Sequence, residues 1–156
     1  MKKNDRQEWI IPKEEAIFWL DAHGFWHTAQ GKFENKKIIA HFHASIRRDD
    51  NGYYLEQEHV HYREKVYFRY EDTALFVFHV QKGDPLVLVL NTGRQEDIKP
   101  KKLYVNGESL YIRLGNERVK FSENALLSIA EYLEDDDEGQ YFIRVKGRRY
   151  RIPEGR

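Results

Sequence analysis

The sequence predicts an α+β fold of two similar ββαββ modules, with mainly antiparallel sheets joined by a central strand hairpin. Three observations carry this. A Lys-Phe pair, an amphipathic helical stretch and an acidic turn closing on Gly-x-Tyr occur once in each half of the chain. Extended runs flank both helical stretches. Between the two copies lie two short runs that are apolar on both faces.

In the first copy, runs at 17–20 and 25–28 flank the turn Asp21-Ala22-His23-Gly24, and runs at 53–57 and 66–70 follow the helix. In the second copy, runs at 103–106 and 110–114 flank Asn106-Gly107, a strong hairpin signal. Runs at 140–145 and 149–152 follow its helix and turn at Lys146-Gly147. Ile38, Ile39, Phe42 and Ile46 follow helical spacing, as do Ala125, Leu126, Ile129 and Leu133. Asn35 and Ser122 stand where a side chain can cap each helix by accepting a backbone N–H. The spacing of the Lys-Phe pairs, Lys32-Phe33 and Lys120-Phe121, differs by one residue from that of Gly52 and Gly139, so a single gap aligns both.

The runs at 73–80 and 86–90, turned by Lys82-Gly83-Asp84-Pro85, read as central strands shared by the halves. The charged stretch 92–99 reads as a linker. The expected division is 13–91 for the first module with its extra hairpin and 100–153 for the second.

Composition limits function. The 156 residues are 40% hydrophobic and 14% aromatic, with 33% charged. Lys plus Arg and Asp plus Glu both number 26, so a globally basic nucleic-acid footprint is absent. With no cysteine, thiolate catalysis, disulfides and Cys-based zinc sites are excluded. No apolar run approaches the roughly 20 residues that span a bilayer. The polar start, Met1 to Glu8, leads to the expectation of a cytoplasmic protein.

The order Gly24-Phe25-Trp26, a helix, Arg47-Arg48-Asp49-Asp50-Asn51-Gly52-Tyr53-Tyr54-Leu55, then Arg63-Glu64-Lys65-Val66 and Tyr70-Glu71-Asp72-Thr73-Ala74 resembles the bacterial domain-of-unknown-function family 1285. The resemblance covers about positions 19–80 and, more loosely, the second copy. It implies two similar α+β modules, a cytoplasmic location, and a role in signalling or ligand sensing.

No motif for catalysis, metal or cofactor stands out. The seven histidines contain no His-Glu-x-x-His spacing, and His41 and His43 point about 200° apart on a helix. No Gly-x-Ser-x-Gly turn or phosphate-cradling loop is present. The reading is therefore a non-enzymatic regulatory or ligand-sensing protein that binds a small polar or anionic ligand near the module junction, or a protein partner. Its expected determinants lie in the first copy, with Trp19, Trp26 and His43 as walls. Arg63, Glu64, Lys65, Glu71 and Asp72 form a mixed-charge rim, in which Glu71 and Asp72 orient the cations. The alternative is binding of nucleic acid or another anionic partner through Arg144, Lys146, Arg148, Arg149 and Arg151, with Val145, Tyr150 and Ile152 turned inward.

Overall fold

The computed structural model describes residues 7–156, so most of the polar N-terminal stretch lies outside the described residues. The fold is α+β: two helices among short strands, mainly in antiparallel pairs. It divides into two compact units that meet in sequence at Ala74 and Leu75.

The first unit runs β1 (Gln7–Ile11), β2 (Phe18–Leu20), β3 (Trp26–Thr28), β4 (Gly31–Lys32), α1 (Lys36–Ala44), β5 (Ile46–Asp49), β6 (Gly52–Glu58), β7 (Tyr62–Tyr67) and β8 (Arg69–Tyr70). It forms two sheets, in the orders β4-β3-β2-β8 and β1-β7-β6-β5. Asn35 caps α1, its side chain accepting from the backbone N–H groups of Lys37 and Ile38. The expected single strand 66–70 is broken. Phe68 lies between β7 and β8, and there the chain leaves one sheet to pair in parallel with β2 of the other. A residue serving both sheets must be fully inside, and Phe68 is buried.

The second unit runs β9 (Leu75–Gln81), β10 (Val87–Leu90), β11 (Gln95–Asp97), β12 (Leu103–Asn106), β13 (Ser109–Leu114), β14 (Glu117–Phe121), α2 (Glu123–Ala130), β15 (Leu133–Asp135), β16 (Tyr141–Val145) and β17 (Arg148–Ile152). Its six-stranded sheet has the order β11-β10-β9-β14-β13-β12, and a second sheet the order β15-β16-β17. Ser122 caps α2 by accepting from the Ala125 N–H. Gly107, with φ +62, makes the tight turn between β12 and β13.

Four expectations change. Each helix is preceded by a three-stranded meander and followed by another, one strand more on each side than ββαββ. Ile46 and Leu133 begin strands rather than ending helices. The apolar hairpin is not shared by the halves but belongs to the second unit, because β9 pairs in parallel with β14. The expected linker carries β11, paired with β10, and the buried Ile98. A backbone that can satisfy its hydrogen bonds on an open sheet edge gains by doing so.

Candidate functional site

The sequence-predicted residues of the first unit are placed by two different environments. Trp26 is 1% exposed and His43 3% exposed. They are a core pair rather than pocket walls: the indole Nε1 donates to His43 Nδ1 at 3.3 Å. Phe18, Phe42 and Phe68 pack edge-on around Trp26 at centroid distances of 5.0–5.8 Å. Burial pushes the His43 pKa down to about 4, so the ring stays neutral. Trp19 lies outside this cluster, stacked on His27 across β2 and β3. His27 in turn meets Asp21 at 2.7 Å.

The charged residues of β7 alternate in face, as a strand requires. Arg63 and Lys65 share one face and are held within their own sheet. Arg63 donates to Glu58 at 2.9 Å, and Lys65 donates to Asp49 at 3.3 Å. Burial opposes the Lys65 ammonium, but the Asp49 bond, Tyr54, Glu8 and the Asp49 charge outweigh it and raise its pKa. Glu64, on the other face, approaches His59 at 3.8 Å. Glu71 accepts from the Ala22 N–H at 3.2 Å, tying down the turn after β2. The bonds that orient Arg63 and Lys65 thus come from Glu58 and Asp49, and Glu71 has a different task. Asp72 is half-buried in the turn after β8.

In the second unit, Arg144, Arg149 and Arg151 share the outer face of β16 and β17, opposite the buried Val145 and Ile152. Tyr150 is half-buried on the inner face with them. Glu134 takes both Arg144, at 2.8 Å, and Arg149, at 3.3 Å. Arg149 also lies over the Phe142 ring. Arg151 donates to Gln140. Lys146 adopts φ +52 at the hairpin turn, and Arg148 is exposed on the strand after it.

The structure adds a feature that the residue types did not announce. A cavity of ≈ 200 Å³, open to solvent, lies inside the second unit. Its walls are aliphatic: Val105 and Leu110 face each other across β12 and β13, Leu126 comes from α2, Leu133 from β15 and Ile152 from β17. Tyr141, paired with Ile152 and 45% exposed, offers a ring at the opening. The hairpin turn supplies Gly107, Glu108 and Ser109. An apolar cavity of this order has room for a benzene-sized guest. Among the described residues no group of three His, Cys, Asp or Glu side chains is placed to hold a metal ion. No described helix is long and apolar enough to cross a membrane.

These features define a two-unit α+β protein with a ring-packed core in one unit and an open aliphatic cavity in the other. The fold is that of DUF1285 family proteins. The chain is similar to a DUF1285 family protein from Silicibacter pomeroyi DSS-3, with a TM-score of 0.61 and 12% identity over 97% of this chain and 89% of that one. It is also similar to one from Shewanella baltica OS155, with a TM-score of 0.53 and 18% identity over 76% of this chain and 94% of that one. No family profile and no curated protein matches the sequence.

Proposed function

We propose that this chain is a ligand-sensing regulatory protein whose second unit binds a small, largely apolar molecule. The cavity walled by Val105, Leu110, Leu126, Leu133 and Ile152 carries this reading. Concave apolar sites with few polar groups at the rim are the usual form of a small-molecule site. The signalling role is what the family resemblance implies. An anionic ligand on Arg63 or Lys65 must displace Glu58 or Asp49, which favours the cavity over the β7 face. Glu134 likewise holds two of the three arginines on the outer hairpin face, which ranks an anionic partner second.

The test is a fragment screen by ligand-observed NMR on the wild-type chain and on Leu126→Trp, which fills the cavity from the helix side. Apolar fragments that bind the wild type and are lost from the variant support the reading. No binding, or hits that persist in the variant, overturns it.

A further inference from the structure

The two units repeat one pattern of strand register. In the first, Trp19, His27 and Lys32 stand side by side across β2, β3 and β4. In the second, Tyr104, Tyr111 and Lys120 do so across β12, β13 and β14. Both aromatic pairs are stacked, at 5.6 Å and 9° in the first and 5.2 Å and 12° in the second. The next pair toward the turn is Leu20 with Trp26 in the first unit, and Val105 with Leu110 in the second. Trp26 therefore stands where Leu110 stands.

The strands after the helices align in the same way. Ile46, Leu55 and Val66 pair across β5, β6 and β7, and Leu133, Ile143 and Tyr150 pair across β15, β16 and β17. Two residues beyond Val66 is Phe68, and two beyond Tyr150 is Ile152. Phe68, just past the last paired residue of β7, therefore matches Ile152 by its offset along the chain, although Ile152 is still paired in β17.

In the first unit Trp26 and Phe68 are both fully buried, their ring centroids 5.0 Å apart and edge-on. In the second unit the matching Leu110 and Ile152 both line the cavity. The remaining matched walls are similar in size: Ile39 stands for Leu126 and Ile46 for Leu133. Phe18 and Phe42 also become aliphatic, at Leu103 and Ile129, but those two are buried and do not line the cavity. The loss of volume at Leu110 and Ile152 therefore accounts for the space, since a core loses volume where a ring becomes a branched chain and the surroundings close only in part.

We propose that the ligand of the second unit is an aromatic molecule of one or two fused rings, whose ring takes the place that Trp26 and Phe68 fill in the first unit. Its polar head is a hydrogen-bond donor. Glu108 and Ser109 stand on the turn, Glu108 exposed, and none of the lining residues is basic. A carboxylate accepts from an ammonium or N–H and repels a second carboxylate. This inference rests on the cavity being a ligand site and adds the ligand's class.

The experiment uses indole, tryptamine, indole-3-acetate and 1-octanol as probes on the full chain, read by ligand-observed NMR titration and by melting temperature. Indole and tryptamine are expected to bind. Indole-3-acetate is expected to bind at least about threefold more weakly than tryptamine, the scale of one solvent-exposed charge contact. The double variant Leu110→Trp, Ile152→Phe, which writes the first unit's rings into the second, is expected to melt higher than the wild type and to bind no probe. Octanol binding without the indoles defeats the aromatic class while leaving the cavity as a ligand site. Failure of all four probes together with an empty fragment screen defeats both. A double variant that melts lower, with indole still bound, defeats the register match behind the proposal.

Discussion

The indole Nε1 of Trp26 donates to Nδ1 of His43, and both rings are sealed inside the first unit. Accepting at Nδ1 puts the His43 proton on Nε2. The imidazole is thus a neutral partner for a buried N–H that would otherwise lose its hydrogen bond.

Stability follows from this in pH. The folded pKa of His43 is about 4, below the ordinary histidine value of 6.5. Between these values the unfolded chain binds more protons, so stability is greatest above pH 6.5 and declines as pH falls toward 4. The expected loss is about 3 kcal/mol. His43→Gln keeps an acceptor for Trp26 without a titrating ring. Urea unfolding of both proteins from pH 7.5 to 4 should show the wild type losing stability more steeply. Parallel pH profiles would remove His43 from the account.

A second, part-buried polar contact joins Tyr67 to Asp49: the phenol donates to Oδ2 at 2.6 Å. That bond leads the interactions that hold the Asp49 pKa below the usual carboxylate range against burial, with the Asn51 N–H and Lys65 adding to it. Tyr67→Phe should cost about 1 kcal/mol. In a double-mutant cycle with Asp49→Asn, measured in denaturant, the coupling should be about 0.5–1.5 kcal/mol. Additive effects would show that the contact contributes nothing net.

Each helix has a single side-chain cap, Asn35 on α1 and Ser122 on α2. Asn35→Ala and Ser122→Ala should each destabilise the chain by about 1 kcal/mol, whereas Asn35→Asp and Ser122→Asp should stay near wild type. Chemical denaturation of the four variants checks this. Losses equal in the Ala and Asp forms would point to packing rather than capping.

Glu134 occupies both Arg144 and Arg149. Wild-type binding to duplex DNA should be weak and should vanish as salt rises to physiological strength, since it rests on phosphate neutralisation. Glu134→Gln should tighten binding at low salt by a few-fold, read by fluorescence anisotropy. Tight, sequence-selective binding by the wild type at physiological salt would promote the anionic-partner reading above the cavity.

The helices, their caps, the β12–β13 and β16–β17 hairpins and the inward turn of Val145 and Ile152 are legible in the chain itself. They depend on contacts between residues a few positions apart, where spacing and turn chemistry decide. The short strands Gly31–Lys32, Ile46–Asp49 and Leu133–Asp135 are not legible in this way. Too short for a periodic signal, they exist because a neighbouring strand offers them partners.

The site separates the two kinds of information further. Large rings in the first copy and aliphatic residues in the second are plain in the sequence, and read as such they point to Trp26 and His43 as binding walls. Packing reverses the inference. Trp26, Phe68, Phe18 and Phe42 fill their own core, and the space appears where Leu110 and Ile152 stand instead. Residue volumes are written in the chain, but a cavity is a mismatch among volumes brought together by strands and a helix far apart in sequence. Its place is set only when β12, β13, α2, β15 and β17 close around it.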